Sequence, residues 1–599
     1  MCGIGGVFAH SILAPPVDLA SLAKVQSRMA TRGPDGEGHW HSTDQRVALV
    51  HRRLAVIDLS ENASQPMLST DGRLSISFNG EIYNHRELRS ELRRKGREFR
   101  SESDTEVLLQ LYDEYGADML GRLRGMFAFA LWDSGRQAML LARDTFGIKP
   151  LYYADDGRTF RFASQVKALI AGGHVDTAPQ PAGHVGFFLW GSVPAPWTLY
   201  RGILALEAGH FMWVDEQGAR RPQAYCTVRD LLGAASETPA RGTRAEALDA
   251  IGHALRDSIA AHHVADVPVG LFLSSGIDSA LIAALSTAAG EHPRTLTLGF
   301  AEYAGTAADE TPLAELLAAQ LGTRQATVTT RREEFHAYRE ALMSAMDQPS
   351  IDGINTWLVS RAAAAQGLKV ALSGLGGDEL FASYPSFSDV PRIQRLAQAT
   401  HCPRFVGRGL RKLVAPALSR LTSPKYAGLL EYGSTIGGAY LLRRALFMPW
   451  ELEHVLDPEI ARQGWKALQC EAELQQTTAG ISRPRLAITA LEKSWYMRHQ
   501  LLVDTDWASM AHSLEVRVPY LDVPLLRSVA PWLAAYPDLT KSSVARAVAP
   551  QLPAAVLNRP KTGFAVPVRE WLGDPAGLKE RGLRGWARGV HRAFLETHA

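Results

Sequence analysis

A chain of 599 residues is too long for a single hydrophobic core and implies roughly three or four domains, or two large ones. Its hydrophobic content of 46% and charged content of 21% are those of an ordinary soluble globular protein, not of a membrane or disordered chain. Lys and Arg number 64 against 62 Asp and Glu, so the net charge of +2 gives no electrostatic case for nucleic acid as a main partner. The locally basic stretch 579–592 reads as solvated surface. Cys2, Cys226, Cys402 and Cys470 are spaced for neither a zinc site nor a disulfide framework, and the expectation is a reducing cytoplasm. No apolar run approaches the ~18 residues of a membrane span, and no basic start followed by an apolar core marks a secretory signal.

The chain opens Met1-Cys2-Gly3-Ile4-Gly5-Gly6-Val7-Phe8. Removal of the initiator Met would leave Cys2 with both a thiol and an α-amine. An α-amine of reference pKa ~7.7–8.0 can act as general base toward its own thiol. On this residue alone, an inert thiol on a buried strand reads equally well. Alternation and turn residues then predict strands over 48–58, 74–79, 127–132, 139–144 and 151–154, and helices over 87–95 and 104–115. Six blocks follow in order along this stretch: Thr31-Arg32-Gly33-Pro34-Asp35, His51-Arg52-Arg53-Leu54, Phe78-Asn79-Gly80-Glu81-Ile82-Tyr83-Asn84, Ser103-Asp104-Thr105-Glu106, Gly125-Met126-Phe127-Ala128-Phe129-Ala130, and Arg143-Asp144-Thr145-Phe146-Gly147-Ile148-Lys149-Pro150-Leu151-Tyr152.

Together these blocks resemble the class II glutamine amidotransferase domain, an N-terminal-nucleophile glutaminase, over residues 1–215. The resemblance implies an αββα sandwich of two sheets covered by helices. It also implies the roles. Cys2 attacks the glutamine side-chain amide to form a glutamyl thioester. Asn79 and the Gly80 N–H form an oxyanion hole, which stabilises charge that develops only in the transition state. Arg53 clamps the α-carboxylate, which a guanidinium fork fits bidentately. Glu81 and Asp104 hold the α-ammonium end. For each single charge, a surface ion pair is the alternative reading.

Composition turns polar past residue 214, so the linker is expected over 216–243, with a second domain over 244–599 that begins with a helix at 245–262. An apolar strand at 267–273 then ends in Ser274-Ser275-Gly276, and a helix starts near Asp278. Strand, small-residue turn and helix point backbone N–H groups at an anion. Asp278 would repel phosphate unless a Mg²⁺ lay between them. No Gly-Lys-Ser/Thr follows, so the turn is not of the Walker type. It resembles the Ser-Gly-Gly-x-Asp-Ser pyrophosphate loop of ATP pyrophosphatases, with Ser275 where Gly is usual.

Strands at 295–300, 325–330 and 369–372 alternate with helices at 310–321, 331–346 and 355–366, which predicts a doubly wound parallel sheet. Ligands of such sheets sit beyond strand carboxyl ends, near a switch point. Ser373-Gly374-Leu375-Gly376-Gly377-Asp378-Glu379 repeats the logic of the first turn. This block, with 509–522 and 559–567, resembles the asparagine synthetases. The resemblance implies an ATP site at Leu273, Ser274, Ser275, Gly276, Asp278, Ser279, Leu298, Ser373 and Gly374, with Asp278 and Asp378 gripping Mg²⁺. Lys561 would face the phosphates. For Leu273 and Leu298, core packing is the competing reading. The helical region 390–482 matches no motif and reads as an insertion or an interface.

Three departures bear on the acceptor. Asparagine synthetases often carry Glu where this chain has Leu375, and related β-lactam-forming synthetases carry Tyr. The usual Lys-x-Asp-Arg is here Asp504-Thr505-Asp506-Trp507, which keeps Asp506 and loses two cations. Ser275 for Gly is a mild change. The reading is a glutamine-dependent amidotransferase that channels ammonia from Cys2 to an ATP-activated carboxylate, such as aspartate or another acid of specialised metabolism. Its rivals are an adenylating cyclase of the β-lactam synthetase type and a non-enzymatic scaffold; the complete glutamine pocket argues against the first and the two intact loops against the second. The expected partners are glutamine and a carboxylate acceptor, with a homodimer as the candidate assembly and neither nucleic acid nor membrane.

Overall fold

The computed structural model describes residues 2–421, 423–559, 571 and 583–598. Its first half is built on two antiparallel sheets. One runs Leu204–Ala205, Tyr152–Asp155, Phe160–Ala163, Gly3–Phe8, Val47–Arg53, Gly36–His41 in spatial order. The other runs Gly218–Ala219, His210–Asp215, Ala138–Arg143, Gly125–Asp133, Leu74–Ile82, Met67–Leu68. Ile4, Phe8, Leu49, Trp132, Leu141 and Phe162 fill the space between the sheets. Leu22 and Val25 of the helix Leu19–Arg28 cover the outer face of the first sheet, and Leu88, Leu92, Val107 and Leu111 cover that of the second. These are the expected αββα layers.

The second half carries a five-stranded sheet in which every pairing is parallel. Its order is Arg324–Thr330, Arg294–Phe300, Val269–Phe272, Val370–Leu372, Glu515–Arg517. The chain builds outward in one direction from Val269–Phe272 and then returns to its other side. The switch point therefore falls between Val269–Phe272 and Val370–Leu372, the two strands whose carboxyl ends carry Ser274 and Ser373.

Expected and observed elements differ mainly at their ends. The helix Asp104–Tyr115 is as expected, whereas the strand expected over 48–58 stops at Arg53, because the chain turns outward at Leu54 to wall the Cys2 site. The stretch expected as a linker is structured. Gly218–Ala219 and Gln223–Ala224 still pair with His210–Asp215. The helix Val228–Glu237 then begins at Thr227, whose hydroxyl accepts from the Asp230 N–H, and buries Val228, Leu232 and Ala235 in the core of the second half. Tyr83, Met126, Phe146 and Ile148 of the first half join that same core, so apolar packing runs across the domain boundary.

Candidate active sites

Cys2 lies at the head of the central strand Gly3–Phe8, 7% exposed. Leu74–Ile82 brings Asn79 to it: the Cys2 N–H donates to Asn79 Oδ1 at 2.9 Å. The other end of that amide, Asn79 Nδ2, is buried and has no hydrogen-bond partner among the described residues. A buried donor without an acceptor is costly to maintain, and this one belongs to the group that touches Cys2. At Gly80 an added Cβ would meet the Met126 carbonyl oxygen at 2.2 Å, so only glycine brings its backbone this close to the neighbouring strand. Cys2, Arg53, Gly80, Glu81 and Asp104 line one small cavity of about 20 Å³.

Arg53 donates to the Ser60 carbonyl at 3.0 Å and to that of Asp58. The Asp104 carboxylate accepts from the Ile82 N–H at 2.9 Å. Burial raises the carboxyls of Asp104 and Glu81, and for Glu81 the nearby Glu515 adds to the rise. Burial also pushes the Cys2 thiol up, so its proton needs a base.

At the switch point, the Ser274–Ser279 turn is tied to itself. Ser279 Oγ accepts from the Ser274 N–H at 3.1 Å, and Ser274 Oγ accepts from that of Gly276 at 3.1 Å. A cavity of about 240 Å³ opens beyond it. Leu273, Ser274, Asp278, Ser279 and Leu298 line one side; Ser373, Gly374, Leu375 and Asp378 line the other. Ser275 is fully buried behind this wall, and Gly276 caps the helix Ile277–Ala288 without lining the cavity. The two turns interlock, since a Cβ at Gly377 would meet Asp278 Oδ1 at 2.1 Å. Lys561 lies outside the described residues.

Asp278 and Asp378 converge on one ammonium. Lys541 Nζ stands 2.5 Å from Asp278 Oδ2 and pairs with Asp378 as well. Burial pulls this lysine down and the two carboxylates more than offset it, leaving it raised. On the same cavity wall, burial lifts the Glu379 carboxyl and nearby Lys493 only partly offsets it, leaving it raised to about 7. Lys493 is itself buried and brought down to about 8. It sits 5.7 Å from the centre of the Phe146 ring of the first domain, on the π-helical stretch Glu492–Leu501.

Residues 1–226 match the model of the glutamine amidotransferase domain, and residues 250–589 match that of asparagine synthase. The chain belongs to the glutamine-hydrolysing asparagine synthetase family. A putative asparagine synthetase [glutamine-hydrolyzing] of Mycobacterium tuberculosis is 34% identical over 96% of this chain and 88% of its own. Asparagine synthetase [glutamine-hydrolyzing] 1 of Bacillus subtilis is 32% identical over the same shares. The solved glutamine phosphoribosylpyrophosphate amidotransferase from B. subtilis aligns at a TM-score of 0.28 and 17% identity over 54% of this chain and 65% of its own, too slight a likeness to argue from. As a member of this family the chain forms amides with ATP and glutamine.

This asparagine synthetase family member joins its two sites through residues that sequence reasoning passed over. Arg32 is fully buried; its Nε donates to the Cys2 carbonyl at 3.0 Å, and its two terminal nitrogens grip Asp506 at 2.6 and 2.9 Å. Asp506 belongs to the helix Leu502–Met510, whose Thr505 lines the switch-point cavity. One helix therefore touches the switch-point cavity directly and the cysteine backbone through one guanidinium. Asp506 is thus turned toward Arg32, while Asp504 and Trp507 are committed inside the fold: the Trp507 indole N–H donates to Asp504 at 2.9 Å, and Ser350 donates to Asp504 at 2.8 Å. The Thr31–Asp35 block and the retained Asp506 were the visible signals, but nothing local links positions 474 apart.

Asp506→Asn keeps the shape and removes the charge that holds Arg32. Glutamine-dependent product formation should fall about 10- to 100-fold with ammonia-dependent formation nearly unchanged, since a buried pair that loses one partner costs roughly 3–5 kcal/mol locally. The ratio of the two rates is the measurement. An equal fall in both would assign Asp506 a purely structural role.

Proposed function

We propose that Cys2 frees ammonia from glutamine and that the cavity at the switch point consumes it on an acyl-adenylate. With Met1 removed, the α-amine of Cys2 takes the thiol proton, and the thiolate attacks the glutamine side-chain carbonyl carbon. Asn79 Nδ2 and the Gly80 N–H stabilise the oxyanion; ammonia leaves, and water releases glutamate from the thioester. Arg53 takes the glutamine α-carboxylate, and Glu81 and Asp104 its ammonium. In the switch-point cavity an oxygen of the acceptor carboxylate attacks the α-phosphorus of ATP and pyrophosphate departs. Ammonia then attacks the acyl carbon, AMP leaves, and one proton is released; Glu379, held up to about 7, is the carboxyl on this wall suited to take it.

Ser274, Ser279, Ser373 and Gly374 border the phosphates in this reading, with Leu273 and Leu298 toward the base. Two carboxylates converging on one cation are the donor set that suits Mg²⁺, which binds through one or two carboxylates plus substrate phosphates. Asp278 and Asp378 would hold the ion, and when bound it neutralises phosphate charge. Aspartate is the first acceptor to test, because the relatives are named asparagine synthetases. The proposal includes a reducing, cytoplasmic setting, supported by the free state of all four cysteines.

The observation that carries the reading is the meeting, in one chain, of Cys2 with the unused Asn79 donor and of Asp278 with Asp378 at the switch point. A panel of carboxylic acids that includes aspartate, scored by ATP-dependent pyrophosphate release with and without glutamine, tests it. At least one acid should release pyrophosphate and AMP in equal amounts and yield an amide. Formation of ADP and phosphate, or no release with any acid, contradicts it.

A further inference from the structure

The helical region 390–482, which matched no motif, is uneven in charge. Residues 390–430 hold eight Lys and Arg and no Asp or Glu, in a chain whose 64 cations are otherwise matched by 62 acids. Within that stretch runs the helix Arg404–Leu421, five of whose residues are Lys or Arg. At its ordinary rise it is about 27 Å long.

This helix is docked the wrong way round. A surface helix ordinarily buries an apolar stripe and exposes a polar one. Here, across 404–415, the only buried residue is Gly407, where an added Cβ would meet the Leu430 carbonyl group at 2.7 Å. One turn on, Arg411 lies against the fold, its guanidinium 4.3 Å from the centre of the Trp450 ring and its Nε donating to Glu431 at 2.6 Å. Arg408 donates to the same carboxylate at 3.0 Å, and Arg404 to Glu471 at 2.5 Å. A glycine and paired arginines therefore hold the helix in place.

Its apolar residues are left outside. Phe405 and Leu413 are 77% and 78% exposed, and Val406, Leu410 and Val414 are exposed as well. The four-residue spacings 405–409–413 and 406–410–414 put them on one face. Gly409 belongs to that face, and an added Cβ there would touch nothing. By the same spacing Lys412 borders the face on the Phe405 side, with no carboxylate in ion-pair reach among the described residues. Single apolar side chains on a surface are ordinary, but a contiguous stripe edged by cations marks an interaction site.

What covers the stripe must be apolar along its middle and anionic at its edge. A second copy of the chain would set the stripe against itself, and 390–430 would bring cations from both sides with no acid to answer them. Nucleic acid would answer the cations and leave the apolar side chains unmatched. Phe405 and Leu413 stand out as a ridge, whereas a peptide anchor seats in a groove. The surface of an anionic bilayer meets both demands: acyl chains take the apolar face of a helix lying in the plane, and headgroups take the cations on its flank. No helix among the described residues is long and apolar enough to cross a membrane, so the contact is one of attachment.

We propose that Arg404–Leu421 is a membrane-surface helix that attaches this protein to an anionic lipid bilayer, with Phe405, Val406, Leu410, Leu413 and Val414 entering the boundary between headgroups and acyl chains and Lys412 against the lipid phosphates. Attachment through one short helix is reversible, and it places the two catalytic cavities beside a bilayer. It goes beyond the amidotransferase reading and does not depend on it, since binding to lipid needs neither ATP nor glutamine.

The test sediments the full chain with vesicles of phosphatidylcholine alone, and with vesicles in which about a third of the lipid is phosphatidylglycerol. The wild type should bind the anionic vesicles about 10-fold or more tighter than the neutral ones, and high salt should shrink the difference. Phe405→Ser combined with Leu413→Ser should weaken binding to anionic vesicles about 10-fold or more, because the apolar area to be buried is gone. Lys412→Glu should weaken it about five-fold or more and leave the neutral vesicles unaffected. All three side chains are exposed, so the thermal midpoint should match that of the wild type. Equal binding to the two kinds of vesicle, no binding to either, or anionic binding that survives the double substitution would overturn the proposal. So would a wild type that ignores vesicles and forms a dimer that the double variant loses, which would assign the stripe to a second copy. Pyrophosphate release and glutamine use are scored in separate assays, so the amidotransferase reading stands or falls apart from this one.

Discussion

Cys2→Ala is expected to lower glutamine-dependent product formation by about 10³-fold or more, since the nucleophile itself is removed. Ammonia-dependent formation should stay within about two-fold of the wild type, because the cavity proposed for adenylation is built on other elements and opens elsewhere in the fold. The substitution is mild for the structure: the strand pairing of Gly3–Phe8 does not involve the side chain, and the hydrogen bond to Asn79 uses the backbone nitrogen. Loss of both activities with an unchanged thermal midpoint would mean that the two sites are not chemically separate. Retention of glutamine use would remove Cys2 from the mechanism.

The second large effect is the mirror of the first. Asp278→Asn and Asp378→Asn should each reduce product formation from both nitrogen sources by about 10²-fold or more, because charge balance at the transferring phosphoryl group is lost. Glutamine hydrolysis should survive. Asn keeps the volume that Gly374 and Gly377 leave for residue 278, so the interlocked turns stay packed. Lys541 then keeps only one of its two carboxylate partners. The pair of results decides more than either alone: one variant silences a nitrogen source, the other silences its use. Rates unaffected by both Asp variants would rule out the switch point as the site of adenylation.

Much of the fold was legible because local signals agreed with it. The helix Asp104–Tyr115 opens at Ser103, whose hydroxyl accepts from the Thr105 N–H, and buries Val107, Leu108 and Leu111. The two small-residue turns after apolar strands placed Ser274 and Ser373 at adjacent strand ends, and the sheet order puts the switch point between them. What stayed hidden depends on distant parts of the chain. Lys541 follows an unremarkable cap at Thr540 and folds back onto a residue 263 positions earlier. The strand Glu515–Arg517 is three residues long, too short to carry a periodicity of its own. The helix Val228–Glu237 sits in a polar stretch where one short apolar stripe is easily outweighed by its flanks. The cavity lined by Trp190, Asp352, Lys425, Tyr440, Trp495 and Leu583 takes its walls from segments scattered along the chain.

The account's central claim is that glutamine nitrogen released at Cys2 reaches an acyl-adenylate made in the same chain. It is tested most directly with glutamine labelled with ¹⁵N at the side-chain amide, incubated with ATP, the acceptor acid and an excess of unlabelled ammonium. Labelled amide product formed in step with AMP and pyrophosphate is the predicted result. Label found only in free ammonium, with the product amide unlabelled, would contradict it.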